Sequence, residues 1–301
     1  MQPHHRRAFL GRGLAALTAL GLGPLLHAGP ASALHLPGGR YVGPDMGVVQ
    51  DRLQQIVTAS RLNVTAAILD LSTGVTAESG GDTWRYPGCT LNMLVMMSVV
   101  RDVVNGAYPF EYVDADIAYT IRNSSADRSL QLLRLTGGGD LAHGIEKVNA
   151  LAAELGMTST VYDHAPAFGH LYSVANGPNL TTANDANRLT AALWNHAVLP
   201  PDWSEYLIGR MTQVKPGLNY LIPAGVPKDA TAIAAHKNGY LQDNTGTWVE
   251  NDLGMVWSTD PAKPYAYAIS MYIHDMAEEF GPKLFTGQRI SSLAWNWFEE
   301  P

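Results

Sequence analysis

The segment from Leu91 to Val104 constrains the fold of this chain more than any other part of its sequence. It is apolar on nearly every side of a helical projection, and its main interruptions are Asn92, Ser98, Arg101 and Asp102. A helix without a polar face belongs inside a domain rather than on its surface. The sequence therefore predicts a core helix that other elements surround.

Strand patterns occur towards both ends of the chain, and helical patterns lie between them. Apolar and β-branched runs predict strands at 64–71, 231–236, 252–258 and 265–273, with a short strand through Val75. Helical spacing predicts helices at 48–60, 125–135, 140–155, 182–197 and near the C-terminus, and 157–181 is loop-like. This order predicts an α+β fold in which a sheet from both chain ends packs on a helical block. A functional cleft is expected between the two parts.

The first 33 residues have the features of an export signal. Arg6 and Arg7 precede an apolar run, and 31–33 reads Ala-Ser-Ala, as at a cleavage site. We expect export to the cell envelope or medium by the twin-arginine route, with no stable membrane span after cleavage. An uncleaved membrane anchor is the alternative. Removing residues 1–33 takes away three arginines and no acid, which changes the net charge from -7 to -10.

Charge and cysteine content exclude several classes of function. The net charge of -7, with no Lys/Arg cluster beyond the N-terminus, argues against binding to nucleic acid. A single cysteine excludes an internal disulfide and a cysteine-rich metal site. His164 and His170 follow Asp163 in one loop, which is a weak pattern for a metal ion or a new base. No metal or cofactor is therefore expected, and the oligomeric state is left open.

Three short tracts carry groups suited to acyl chemistry. Cys89 and Thr90 stand where the core helix begins, and the free N–H groups of a helix start favour a nucleophile there. The other two tracts are Ser-Ala-Asp at 125–127, which opens a helix, and His-Lys-Asn-Gly at 236–239, which ends a strand.

Together with these tracts, the chain after residue 33 resembles the class A serine β-lactamases and the related penicillin-binding DD-peptidases. The similar segments are, in order, 67–74, 180–186, 222–226, 235–239 and 252–257. The resemblance implies an antiparallel sheet flanked by helices plus an all-helical subdomain. It divides the mature chain, 34–301, into an α/β part, 34–88 with 200–301, and a helical part, 89–199.

The family's motifs are Ser-x-x-Lys, Ser-x-Asn and Lys-Thr/Ser-Gly, and this chain keeps them only in part. By the resemblance, Thr90 stands at the nucleophile and Met93 at the lysine. A thioether cannot accept a proton at neutral pH, so the general base at that position is absent. Ser125 aligns with the proton-shuttling serine, and Asp127 stands where asparagine is expected.

The third motif keeps Lys237 and Gly239 but has Asn238 in place of the hydroxyl residue. The resemblance implies that Lys237 holds the negative charge of a ligand. It also implies that the backbone N–H groups of Tyr240 and Thr90 face a developing oxyanion.

These departures predict an exported protein that is catalytically silent or strongly impaired. It would bind a small molecule, acyl-peptide or cell-wall fragment with a carboxylate in the old active-site cleft. The loop that supplies the deacylating glutamate in class A enzymes has none here, because no Glu occurs between Glu154 and Glu205. The alternative is an active hydrolase or acyltransferase for a β-lactam, amide or ester, with Thr90 or Cys89 as nucleophile. A partner-binding scaffold is a third interpretation.

Overall fold

A computed structural model describes residues 43–243, 245–278, 281 and 284–300 of the chain. The strands within this part form one antiparallel sheet, in the order β2-β1-β5-β4-β3. They are Asn63–Asp70 (β1), Thr76–Ser79 (β2), Ala232–Gln242 (β3), Trp248–Ser258 (β4) and Ala266–Met276 (β5). Strands from both ends of the chain are thus neighbours, and the α+β fold class is confirmed.

Two helices cover one face of the sheet. Met46–Ser60 (α1) and Phe285–Glu299 (α8) pack on each other, α1 against β2 and α8 against β5. Their buried side chains, which include Val49, Leu53 and Ile290, share one apolar cluster with sheet residues such as Ile269. Burial of this shared apolar surface holds the first and last helices onto the same layer.

The other face of the sheet carries the helical block. Its helices are Asn92–Val104 (α2), Asp114–Asn123 (α3), Ala126–Thr136 (α4), Leu141–Glu154 (α5), Ala183–Trp194 (α6) and Pro201–Met211 (α7). Every residue of α2 from Asn92 to Val100 is buried, and the helix contacts α3, α4, α5 and α7. The prediction of a core helix is confirmed. Buried residues of α7, such as Leu207 and Met211, belong to the same core as α2.

The structure differs from the sequence pattern in α3, α7 and the length of β3. Helices α3 and α7 were not predicted from the apolar spacing of the sequence. Strand β3 continues to Gln242, past the predicted end at 236, because it pairs with β4 all the way to Trp248. Asn238 and Gly239 have low strand propensity, and tertiary pairing overrides it.

The predicted leader, residues 1–33, lies outside the described residues, so export stays a prediction. Among the helices that the structure describes, none has the length and apolar character needed to cross a bilayer.

Candidate active site

Thr90 does not face a cleft. It lies in a short 3-10 helix, Gly88–Leu91, that leads into α2, and its side chain has no exposed surface. Its hydroxyl donates a hydrogen bond to the carbonyl oxygen of Pro87 at 2.8 Å. Its backbone N–H also donates to that carbonyl, at 3.3 Å. Both donors that the sequence assigned to chemistry are therefore used to start the helix.

Strand β3 lies directly on this 3-10 helix. A Cβ atom added to Gly239 would stand 2.6 Å from the oxygen of Pro87 and 2.7 Å from the nitrogens of Cys89 and Thr90. Real Cβ atoms do not approach backbone that closely, so only glycine fits. Gly88 faces it with a left-handed φ of 54°, and its missing Cβ would stand 2.8 Å from the nitrogen of Tyr240.

A cleft of about 530 Å³ opens beside this contact. Three segments line it: the start of the 3-10 helix (86–89), a loop with lining residues between 164 and 179, and the end of β3 with its turn (240–243). Cys89 and the side chain of Tyr240 are part of the lining, whereas Thr90, Lys237 and Asn238 are not. A volume of this size suits a small molecule or a short peptide.

The position of Cys89 shifts the assignment of the first motif by one residue. The residue that borders the cleft at the start of the helix is Cys89, and the residue three positions later is Asn92 rather than Met93. Asn92 is fully buried, and its Oδ1 accepts a hydrogen bond from the Ser129 hydroxyl at 3.0 Å. Neither the carboxamide of Asn92 nor the thioether of Met93 can take up a proton at neutral pH. The correction therefore keeps the central expectation, which is a missing base.

Cys89 is 7% exposed and is the only cysteine in the chain. Burial raises the pKa of its thiol, and the nearby charge of Lys237 opposes that effect without cancelling it. The sulfur lies 4.0 Å from the carbonyl oxygen of Ser124. A neutral thiol in this position is a poor nucleophile, because the thiolate is the reactive form.

The serine in contact with Lys237 is Ser124, not Ser125. The Nζ of Lys237 donates to the Ser124 hydroxyl in a short hydrogen bond. Ser125 instead caps α4, where its hydroxyl accepts from the backbone N–H of Arg128 at 3.3 Å. Asp127 is exposed in the first turn of the same helix, away from Lys237. The prediction that Ser125 and Asp127 line the site is wrong by this geometry.

Lys237 has no exposed surface. Besides Ser124, its Nζ donates to the backbone carbonyl of Asn238 at 2.6 Å and reaches the Asn238 Oδ1 at 3.4 Å. Burial lowers the pKa of Lys237 to about 8, and the charges of Cys89 and Asp252 raise it only in part. The ammonium group is enclosed by protein donors and acceptors rather than presented to the cleft.

A chain of hydrogen-bonding side chains continues from Lys237 through the sheet. The Ser124 hydroxyl donates to Asn238 Oδ1 at 3.0 Å, and Asn238 Nδ2 donates to the Tyr220 hydroxyl at 3.4 Å. Tyr220 in turn interacts with the buried carboxylate of Glu250. Every link can run from donor to acceptor in one direction, from ammonium to carboxylate. The network thus provides internal partners for two buried charges.

Sequence reasoning missed Ser124, Tyr220 and Glu250. Ser124 and Ser125 both match the serine of the second motif. The Asp two residues after Ser125 favoured Ser125, whereas the residue in contact with Lys237 is Ser124. The first motif can also be aligned one residue earlier, on Cys89-Thr90-Leu91-Asn92. In that alignment Cys89 and Asn92 have the same three-residue spacing as the Ser and Lys of the family's motif. Tyr220 and Glu250 belong to no motif and are found only through the contacts that β3 and β4 make.

The loop that walls the cleft is held by Asp163 and Asn179. The Asp163 carboxylate accepts from the Ser173 hydroxyl and from the N–H groups of Ala175 (2.6 Å) and Gly177 (3.2 Å). Burial alone would raise the pKa of Asp163, but these hydrogen bonds lower it. The carboxylate is therefore occupied as a structural acceptor and does not face the cleft.

His164 and His170 both line the cleft, with ring centroids 6.3 Å apart. In the part of the chain that the structure describes, no group of three or more His, Cys, Asp or Glu side chains is arranged to hold a metal ion.

Comparison with protein families and solved structures places this architecture among known ones. A family model described as the beta-lactamase enzyme family matches residues 139–298, which is more than half of the chain. That match includes Lys237 to Gly239 but not Cys89 or Ser124. A comparison with curated proteins found no match.

The solved structures that are similar cover nearly the whole described chain. A β-lactamase from Chitinophaga pinensis DSM 2588 is 19% identical with a TM-score of 0.70, and the match covers 83% of this chain and 98% of that one. The TLA-3 extended-spectrum β-lactamase is 15% identical with a TM-score of 0.72, covering 85% and 100%. The protein PBP-A is 20% identical with a TM-score of 0.69, covering 88% and 100%. Identities this low establish a shared fold and leave ligand and activity to the site itself.

Proposed function

This chain belongs to the β-lactamase enzyme family, and from that membership we propose a member with little or no acyl-transfer activity. It would bind a small molecule or an acyl-peptide in the cleft between Cys89, the loop around His164 and the end of β3. The mature protein would act outside the cytoplasm, as the predicted leader implies.

The absence of a base beside the cleft-facing residue carries this proposal. General acid–base assistance is typically worth about 10²–10⁴ in rate. Cys89 has a neutral thiol, and the groups three and four residues later, Asn92 and Met93, cannot accept its proton. The one nearby amine, on Lys237, is engaged by Ser124 and Asn238.

A second observation supports slow release of any acyl group that does form. No glutamate lies in the loop, and the Asp163 carboxylate is saturated by loop donors. Asp185 is fully buried and bonded to Ser159, Thr160 and Arg188. No carboxylate of the loop is therefore left to direct a water molecule at an acyl carbonyl.

The experiment measures turnover and binding on the same sample. The protein is mixed with a chromogenic cephalosporin, and hydrolysis is followed alongside a class A β-lactamase as positive control. Binding is followed by backbone NMR shifts with a neutral N-acetyl dipeptide amide. We expect no hydrolysis above the buffer rate and shifts confined to the cleft residues. Sustained hydrolysis that is lost in Cys89→Ala would contradict the proposal.

A slow acyl transferase with Cys89 as nucleophile is the second candidate, favoured because the thiol both lines the cleft and senses the charge of Lys237. In such a step the sulfur attacks an acyl carbonyl and the C–S bond forms. The bond between that carbonyl carbon and the leaving alcohol or amine breaks, and the leaving group departs with the thiol proton. Thioester formation, read by intact mass, would be abolished by Cys89→Ala and retained in Thr90→Val.

A further inference from the structure

A carboxylate ligand requires a positively charged group in the cleft, and the charge of this cleft is negative. Among its described lining residues, Asp243 is the only one with a full charge at neutral pH when histidines are neutral, and none is Lys or Arg. Asp243 lies in the turn between β3 and β4, where its carboxylate accepts hydrogen bonds from Thr245 and Thr247. Slight burial would raise the pKa of Asp243, but these bonds lower it to about 2. The cleft therefore carries a fixed negative charge at one end.

Neighbouring cations do not neutralise that charge at the cleft surface. Lys237 is fully buried and its donors are used by Ser124 and Asn238. The guanidinium of Arg85 donates to Asn63 and Thr65 on β1 and is not part of the lining.

His274 lies beside this end of the cleft and is uncharged at neutral pH. Burial lowers its pKa to about 4, with a further contribution from the charge of Arg85. It lies within the electrostatic reach of Asp243 but supplies no compensating positive charge.

Two tyrosine rings line the same cleft as Asp243. Tyr86 is 37% exposed, lines the cleft, and stacks one face on His274 with 5.9 Å between ring centroids. Tyr240 also lines the cleft, and its ring centroid lies 6.5 Å from that of Trp248. Phenol rings attract a cation through their quadrupole, and a carboxylate adds direct charge attraction.

We propose that this cleft binds a ligand bearing an ammonium group, which would lie beside Asp243 and between the rings of Tyr86 and Tyr240. A ligand bearing a carboxylate would meet no Lys or Arg among the described lining residues and would be repelled by Asp243. The inference rests on the proposed function, since it takes the cleft to be a binding site. It replaces the expectation that Lys237 holds a ligand carboxylate.

The test uses three probes that share one blocked backbone and carry a positive, a neutral and a negative side chain. They are N-acetyl-lysine methylamide, N-acetyl-norleucine methylamide and N-acetyl-glutamate methylamide, each titrated into ¹⁵N-labelled protein. We expect the lysine probe to bind about five- to tenfold more tightly than the norleucine probe, from the charge contact with Asp243 and the ring contacts with Tyr86 and Tyr240. The glutamate probe should bind most weakly, and shifts should cluster at the cleft.

Two variants locate the preference. Asp243→Asn keeps an acceptor for the turn and should remove most of the advantage of the lysine probe. The matched control is Asp260→Asn, which changes net charge equally in the turn between β4 and β5, where Asp260 accepts from the N–H of Ala262. It should leave the preference unchanged. Tyr86→Leu, which leaves the hydrogen bonds of the turn in place, gives a second reading if Asp243→Asn lowers the Tm.

The outcomes separate the two claims. Equal or tighter binding of the glutamate probe would overturn the inference while leaving a binding cleft intact. Failure of all three probes to shift any cleft resonance would overturn both the inference and the proposed function. A lysine preference that persists in both Asp243→Asn and Tyr86→Leu would also overturn it.

Discussion

Lys237 donates its short hydrogen bond to the hydroxyl of Ser124, and this contact joins strand β3 to the residue before the cap of α4. Ser124 has a left-handed backbone with φ of 53°, which is uncommon for a residue other than glycine. Its hydroxyl is fixed on both sides, by Lys237 and by Asn238. The surrounding contacts thus hold Ser124 in a conformation it would rarely adopt alone.

A double-mutant cycle tests this contact. Ser124→Ala removes the acceptor from a buried ammonium and should lower the free energy of unfolding by about 1–3 kcal/mol. Combined with Lys237→Met, it should show a coupling energy of at least about 0.5 kcal/mol. Ser125→Ala removes only a helix cap, costing about 1 kcal/mol, and should be additive with Lys237→Met. Equal coupling for both serines would show that the contact is not specific to Ser124.

The burial of Lys237 predicts a rise in stability with pH. Its pKa in the folded state is about 8, below the ordinary 10.5, so the folded protein releases this proton first. The unfolded state then binds more protons, and the free energy of unfolding increases between pH 8 and pH 10.5, by up to about 3 kcal/mol. Denaturation is compared with Lys237→Met, in a Cys89→Ala background because the thiol, with its raised pKa, contributes the opposite slope. Parallel pH curves would mean that Lys237 is solvated.

The close approach of β3 to the 3-10 helix predicts a severe effect of one methyl group. Gly239→Ala would press its Cβ on three backbone atoms, so the free energy of unfolding should fall by about 1–3 kcal/mol or more. Gly209→Ala in α7 is the control, since nothing lies within 4 Å of its added Cβ. Helix propensity there should add about 0.5–1 kcal/mol of stability. Urea denaturation distinguishes the two, and a tolerated Gly239→Ala would argue against the packing.

The lone thiol offers a direct probe of the site. Because burial raises the pKa of Cys89, iodoacetamide should label the native protein at least about tenfold more slowly than the urea-unfolded protein at pH 7.5. Lys237→Met removes the nearby positive charge and should slow labelling of the native state further. Native labelling as fast as in urea would indicate an accessible thiolate at Cys89.

The general fold was accessible from sequence because its signals are long. The apolar run of α2 and the separated strand patterns each extend over many residues, and their order leaves few ways to form layers. The end of β3 was not predicted because Asn238 and Gly239 oppose strand formation locally.

The site was less accessible because motif matching has a precision of about one residue, whereas side-chain direction changes with every residue along a helix. Cys89 and Thr90 are neighbours, yet one lines the cleft and the other is buried with its hydroxyl bonded to Pro87. Ser124 and Ser125 differ in the same way. The half-buried Tyr220 and the buried Glu250 belong to none of the motifs, and only the fold brings them to Asn238.

The central claim is that Cys89 faces the cleft without a base. It is tested most directly by intact-mass measurement after incubation with an acylating penicillin, on the wild-type protein and two folded double variants. Cys89→Ser with Asn92→Lys restores a hydroxyl and an amine three residues apart at the cleft, and should accumulate a penicilloyl adduct. Thr90→Ser with Met93→Lys places a hydroxyl and an amine three residues apart at the buried positions. This variant, like the wild-type protein, should show no adduct. Rapid adduct formation on the wild-type protein, or on the Thr90 variant alone, would contradict the account.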